Sequence, residues 1–495
     1  MRPLARHSLA LTAVFLATLV ILVLRHEPWR DEVEFWLIAQ QSASLAELRH
    51  NLTFANQTRL WPLLLYGVTR LFGQVEAMQL FHAAIAAAAV WVFARHAPFP
   101  PAAKALFAFG YYPLFEYGAI ARSYALGLLF LFAACALLAR RPRPALALGA
   151  CLFLLAQTSA FAAVIAVALA LAAVADDLLG EPVPGAAAAP RRLAIVVVGA
   201  VAGVASSIVQ MVAPAGGTFV FRWAPSADPS ALARTASHLW RAYVPLPQPT
   251  LHFWNTNVLD EWTFLQAGLG LALAAAATWL WAARPAALVA YVSGSGALLL
   301  FAHTSYLREA RHIGHLYLLL VAAAWIASVA RPWHAEARAR FAALPRWAPA
   351  AGWAVLAVHL AAGLYAAGMD LRHPFSGGAL TAAFLERAGH ADAPLIADPA
   401  FIGPSVAVHT GTPFYDAGSR RWGFFVVWDD RRGIERLDVP LEAQNLAADS
   451  KRSVVLLSNR PIGRRRAPFT HLAEIAGCIV KSEQYQVYLV PPPAS

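Results

Sequence analysis

The chain has 495 residues, 59% hydrophobic and only 14% charged, with a formal net charge of +11. Soluble domains carry nearer to about 25% charged residues, so the composition excludes a soluble globular protein and describes a polytopic membrane protein. The positive charge is spread over loops with no long basic tail; this sets nucleic-acid binding aside and fits membrane orientation beside anionic headgroups.

A spanning helix needs about 20 apolar residues. In chain order the candidate spans are 8–24, 76–94, 103–117, 124–139, 144–157, 160–175, 192–212, 264–282, 286–302, 314–329 and 349–367. Eleven spans put the two termini on opposite sides. Arg2 and Arg6 precede the first run and no small-residue cleavage site follows it, so an uncleaved helix is expected there. The run 144–175 is broken only by Gln157-Thr158-Ser159. As a single helix it would be about 48 Å long, too long for a hydrocarbon core of about 30 Å, and two helices are expected. With the N-terminus cytoplasmic, the loops expected inside carry Arg95, Lys104, Arg140, Arg141, Arg143, Arg191, Arg192, Arg284, Arg331, Arg338, Arg340 and Arg346. That is the bias of the positive-inside rule.

The first external loop is then 25–75. Within it the apolar stretch 60–72, interrupted by Pro62, Gly67 and Arg70, reads as an amphipathic surface helix. A second surface helix is expected over 44–52, with Ser44 as N-cap and Glu47 three residues on. The stretch 181–190, rich in Pro and Ala, reads as a cytoplasmic linker. After Asp370 the chain changes character. Short apolar runs at 394–397, 453–457 and 485–490 flank a helical pattern over 378–389, and strands alternating with helices predict a small α/β domain. The expected division is a transmembrane domain, 1–369, and an extracytoplasmic α/β domain, 370–495. Cys135, Cys151 and Cys478 are far apart and show no metal or disulfide spacing.

Ionised groups beside the hydrocarbon are costly unless they have a use. The outer face gathers several. Trp29-Arg30-Asp31-Glu32-Val33-Glu34-Phe35-Trp36 follows the first span, framed by indoles that favour headgroup level. Asp31 or Glu32 there suits a general base; the plainer alternative is a solvated pair bridged to Arg30. Glu34 reads as a cap or solvated side chain of a helix over 33–41. Between the third and fourth spans lie Glu116, Arg122 and Tyr124. Arg122 suits bidentate phosphate binding with Tyr124 adding a hydrogen bond, and Glu116 suits orienting Arg122 or a metal. An interfacial Glu–Arg pair with a Tyr anchor fits the same residues equally well. The segment 303–315 is the densest cluster, with His303, Arg308, Arg311, His312 and His315. Arg308 and Arg311, like His312 and His315, are spaced i, i+3 and share a helix face. Two arginines at an outer surface suit a polyprenyl phosphate, or else lipid headgroups; His-x-x-His alone is a weak metal signal. The loop 213–263 adds Arg222, Trp223, Trp240, Arg241, His252, Trp254, Asp260, Glu261 and Trp262, a set that suits either sugar rings or a membrane interface.

The runs WRDEVEFWLIAQQSASLAEL at 29–48, FEYGAIARSYALGLL at 115–129, REARHIGHLYLL at 308–319 and HPFSGGALTAAFLERA at 373–388 resemble a group of uncharacterised bacterial members of the GT-C superfamily of membrane glycosyltransferases. That superfamily includes protein O-mannosyltransferases and the aminoarabinose transferase of lipid A. The resemblance implies a GT-C-like helical fold in the bacterial inner membrane, a polyprenyl-phosphate sugar donor, and an extracytoplasmic acceptor that is a glycan, lipid or protein. It implies that Asp31 is the catalytic base, with Glu32 adjacent. Many relatives carry His-Pro-Pro or Pro-Pro-Leu before the second surface helix, whereas this chain reads Gln57-Thr58-Arg59-Leu60-Trp61-Pro62. Arg122, Tyr124, Arg308, Arg311 and His312 would bind the donor phosphate, supported by Glu116, His303 and His315. A phosphate leaving group requires no metal, and no cofactor is expected. Two other functions use similar residues: a flippase for polyprenyl-linked sugars, which internal repeats or midplane polar helices would mark, and a non-catalytic scaffold.

Overall fold

The computed structural model describes residues 2–181, 190–212, 225–305, 309–333, 347–429, 432, 438–462 and 469–493. Among these residues eight helices are long and apolar enough to cross a membrane, which makes the chain a helical, polytopic membrane protein. They are α1 (Arg2–Val23), α5 (Glu76–His96), α9 (Ala160–Leu178), α10 (Pro190–Met211), α12 (Thr263–Trp281), α13 (Pro285–Ser305), α14 (Ala310–Val329) and α15 (Ala348–Asp370).

The remaining three expected spans differ from a plain crossing helix. The segment 103–117 is a short helix α6 (Pro101–Ala108), a break at Phe109-Gly110, and a π-helix, Tyr111–Ala119. Pro113 lacks an amide hydrogen and lies in the first turn of that wider coil, where a regular helix would be hard to continue. Helices α7 (Tyr124–Leu138) and α8 (Ala145–Ala156) are apolar but short. The run 144–175 is two helices, as its length requires. Gln157 ends α8, and the Ser159 hydroxyl accepts the Ala162 N–H to cap α9.

The first loop folds into α2 (Arg30–Gln41), α3 (Leu45–Asn51) and α4 (Leu60–Thr69). Ser44 caps α3 by accepting the Glu47 N–H at 3.1 Å, and the Glu47 carboxylate returns to the Ala43 N–H at 2.7 Å. Their apolar faces form a small core of their own around Trp36, Leu48, Trp61 and Leu65. An amphipathic helix α11 (Pro229–Tyr243), capped by Asp228, packs along α12.

Charged residues collect at the two ends of the bundle. At one end Arg141, Arg143 and Arg331 surround Asp176 and Asp177 and tie the end of α9 to the turns after α7 and α14. At the other end lie the first loop, the turn 120–123, the start of α14 and the end of α15. Arg222, Trp223, Arg308, Arg338, Arg340 and Arg346 lie outside the described residues.

After α15 the chain forms a six-stranded sheet from β1 (Leu395–Asp398), β2 (Phe414–Asp416), β3 (Arg421–Gly423), β4 (Val454–Ser458), β5 (Thr470–Ile475) and β6 (Tyr485–Val490). The order is β3-β2-β1-β4-β6-β5, with β1 parallel to β2 and β4 and the outer pairings antiparallel. Side chains alternate between two cores: Val455, Leu457 and Val487 on one face, Val454, Leu456 and Val490 on the other. Helices α16 (Gly378–Arg387), α17 (Gly403–Thr410) and α18 (Val439–Ser450) complete the unit. Helix α17 packs directly on α2, so the sheet domain docks onto the first loop.

Candidate functional site

The start of α2 carries the centre of the site. Helix α2 begins at Arg30, earlier than the 33–41 expected from sequence, with Trp29 as its N-cap. That start fixes which acidic side chain faces which way. Asp31 and Glu34 are one turn apart and share a face, while Glu32 is turned about 100° from Asp31, into the protein.

Asp31 meets three guanidiniums. Its Oδ2 lies 2.7 Å from Arg122 Nη1 and 3.4 Å from Arg311 Nη2, and its Oδ1 is 3.7 Å from Arg30 Nε. Burial works against its ionisation, but Arg122, Arg311 and Arg30 outweigh that and hold the carboxyl below the usual carboxylate range. Arg122 is buried, with its guanidinium over the rings of Phe35 and Tyr124. Arg311 sits in the first turn of α14 and lies over Trp29 and Trp254. A cation there opposes the positive end of the helix dipole, and Asp31 offsets that cost.

Glu32 is fully buried and has no free face. Its Oε1 accepts the Ala121 N–H at 2.5 Å, and its Oε2 accepts the Trp29 N–H at 3.1 Å and faces His26 Nε2 at 3.1 Å. The other ring nitrogen of His26 is 2.8 Å from Asp370 Oδ2, at the end of α15. Burial disfavours a charged His26, yet Asp370 and Glu32 prevail and raise it well above its usual value. His82, inside α5, has its ring between the carbonyls of Gly118 and Arg122. Glu32 and His82 thus fix the turn that presents Arg122. Glu32 lines neither of the two cavities described below, so in this geometry it positions its neighbours.

A cavity of about 450 Å³ opens on the Asp31 face. Its lining combines charged side chains, Arg30, Asp31, Glu34, Arg122 and Arg311, with apolar ones that include Phe54, Phe161 and Met211. Tyr124 and His312 line it, and so do Gln57 and Thr58 from the segment that departs from the GT-C pattern. Phe401, Pro404 and Trp428 of the sheet domain close one side. A second cavity, about 260 Å³, lies beyond Arg30 and Arg311 and is lined by Trp29, Trp254 and Lys481. Arg30 also anchors the sheet domain: its N–H donates to Glu483 at 2.9 Å, its Nη1 donates to Ser482 at 2.9 Å, and its guanidinium lies over Phe401.

The expected site residues therefore separate. Asp31, Arg122, Tyr124, Arg311 and His312 share one cavity, and Arg308 lies outside the described residues. Glu116 does not orient Arg122. Its Oε2 accepts from Tyr111 Oη at 3.1 Å and from Trp254 Nε1 at 3.0 Å. His303 is occupied elsewhere, with Ser226 and Thr235 as partners. His315 points inward against Tyr117 and Tyr124, and its ring and that of His312 both stack on Phe161. Among the described residues no three His, Cys, Asp or Glu side chains are grouped as metal ligands would be.

Sequence reasoning missed Glu34, His26, Asp370, His82 and Trp428. A histidine in the middle of an apolar span, as at His82, was the available signal, since such a residue needs partners. No protein-family model, no curated protein and no solved structure matches the chain.

Proposed function

We propose that the protein is an inverting membrane glycosyltransferase that moves a sugar from a polyprenyl-phosphate donor to an extracytoplasmic acceptor. The reading rests on one observation: Arg122 and Arg311 converge on Asp31 in a cavity whose lining joins charged to apolar side chains. A lipid-linked phosphate has the same mixed character. Two guanidiniums bind the phosphate and take up the charge that grows on it as the sugar leaves, where fixed electrostatics contribute most. Phe54, Phe161 and Met211 suit the first prenyl units. Two carboxylates face the cavity, Asp31 and Glu34, and Asp31 is the base that the GT-C resemblance implies. In the same reading the chain crosses the bacterial inner membrane eleven times, with the N-terminus cytoplasmic and the sheet domain outside.

The test is mass spectrometry of lipid-linked sugars and envelope glycans from cells with the wild-type gene, a deletion, and Arg311→Ala. The expected result is loss of one glycan modification and accumulation of its polyprenyl-phosphate donor in both altered strains. Glycans and donors identical in all three strains would sink the reading.

A further inference from the structure

The two cavity carboxylates differ in what already occupies them. Arg30, Arg122 and Arg311 all pair with Asp31, and among the described residues none of them pairs with Glu34. Glu34 is one helical turn further along the same face, partly buried, and lines the cavity. The side chain of Trp428, which the sheet domain brings to the same cavity, favours the ionised form of Glu34.

We propose that Glu34 receives the proton of the acceptor and that Asp31 holds Arg122 and Arg311 in position for the donor phosphate. This assignment rests on the transferase reading above. A carboxylate clasped by guanidiniums is a weak base, because proton uptake would break its ion pairs. A carboxylate left out of those pairs keeps its affinity for a proton. In the step itself, the acceptor O–H bond breaks and its proton moves to Glu34. The acceptor oxygen bonds to the anomeric carbon, and the bond from that carbon to the phosphate oxygen breaks. The electron pair leaves with the polyprenyl phosphate, beside Arg122 and Arg311, and Glu34 then releases its proton to water.

The electrostatics of the pair support the division of labour. Burial first, then Asp31, raise Glu34 to about 7, against the opposing effects of Arg122, Trp428 and Arg30. Paired groups pushed apart in this way are how one site separates a base from a fixed charge. The groups that share the cavity with Glu34 are Arg30 and Asp31 on α2, Arg122 from the turn before α7, Tyr124 on α7, and Arg311 and His312 from α14. The sheet domain adds Trp428, with Arg432 stacked on it. His409 of α17 is taken up by Glu27.

The experiment uses full-length protein in membranes of the deletion strain, which hold the native acceptor. Release of undecaprenyl phosphate from a panel of undecaprenyl-phosphate hexoses and pentoses is followed from about pH 5 to about pH 9, a range that spans carboxylate and neutral pKa values. Binding of undecaprenyl phosphate itself is measured separately. Glu34→Gln is expected to lower turnover by about 100-fold or more, to keep undecaprenyl phosphate binding, and to lose the acid limb of the rate profile. Glu34→Asp restores part of the turnover together with an acid limb. Asp31→Asn weakens undecaprenyl phosphate binding and keeps the acid limb. A Glu34→Gln protein that turns over at the wild-type rate, or keeps the acid limb, overturns the assignment alone. A wild-type protein that neither binds undecaprenyl phosphate nor releases it from any donor overturns the transferase reading and the assignment with it.

Discussion

The Glu32 carboxylate accepts the Ala121 N–H across 2.5 Å, joining the first loop to the turn that carries Arg122. The same carboxylate accepts the Trp29 N–H and faces His26, which reaches on to Asp370. Three segments far apart in the chain, residues 26–32, the turn at Ala121 and the end of α15, are therefore tied together around one buried acidic group.

Removing that group leaves buried donors without a partner. Glu32→Ala is expected to destabilise the protein by about 3 kcal/mol, the usual scale for breaking a buried charged network from one side. Glu32→Gln keeps an acceptor oxygen and should cost less. Thermal unfolding in detergent checks both. A Glu32→Ala protein that melts with the wild type would show that the network carries no stability.

His26 gives this network a pH dependence with a definite sign. Asp370 and Glu32 overcome the effect of burial and hold His26 well above its usual value of 6.5. Its contribution is complete below that usual value and is lost as pH rises through the raised folded value. Wild-type melting temperature is therefore expected to fall on the alkaline side more steeply than that of His26→Gln. Parallel curves for the two proteins across neutral and alkaline pH would contradict this.

How much of this was legible in sequence depends on what each residue needs. Asp31, Arg122 and Arg311 were legible because a charge at the edge of an apolar run is conspicuous and costly. Glu32 was expected beside Asp31 and Glu34 as a cap or solvated side chain; the structure buries Glu32 and puts Glu34 at the cavity. Starting α2 at Arg30 instead of residue 33 leaves the acidic triplet unchanged but decides which members share the Asp31 face, and the cap at Trp29 depends on contacts that no local pattern encodes. His26 and Asp370 are 344 residues apart, so their pairing is set by how α1 and α15 pack. The segment 103–117, expected as one helix, is broken at Phe109-Gly110 into a short α-helix and a π-helix, a change of backbone that its apolar composition does not encode.

Arg122 and Arg311 should differ from lysine in the same positions. Arg122 uses its planar group both to pair with Asp31 and to lie over Phe35 and Tyr124, which an ammonium cannot reproduce. Arg122→Lys is expected to weaken undecaprenyl phosphate binding about tenfold, the scale of one lost charged hydrogen bond. Because Arg122 is buried, that loss should persist at high salt. Binding to protein in nanodiscs at low and high salt measures it; affinity equal to wild type would remove Arg122 from the phosphate site.

Gly314 holds α14 against the π-helix. A Cβ at this position would collide with the Tyr112 ring and the Tyr117 hydroxyl, and Tyr117 Oη already donates to the Arg311 carbonyl at 2.9 Å. Gly314→Ala is expected to cost about 1–3 kcal/mol, as overpacking does, and to displace Arg311 one turn away. Melting temperature and undecaprenyl phosphate binding should fall together. A stable Gly314→Ala protein with unchanged binding would mean the contact gives way without moving Arg311.

Trp428 links the sheet domain to the chemistry. Burial and then Asp31 favour the neutral form of Glu34, and the Trp428 side chain opposes them. Replacing Trp428 by Phe keeps an aromatic ring in the cavity wall and removes the indole N–H, so Glu34 should take up its proton at higher pH than in the wild type. The acid limb of the rate profile then moves to higher pH: turnover drops on the acid side of neutrality and is unchanged at alkaline pH, where Glu34 is ionised in both proteins. A shift of the limb to lower pH contradicts that sign. A limb that does not move in Trp428→Phe, yet disappears in Glu34→Gln, separates the base from its partner and leaves the sheet domain the lesser role of covering the cavity.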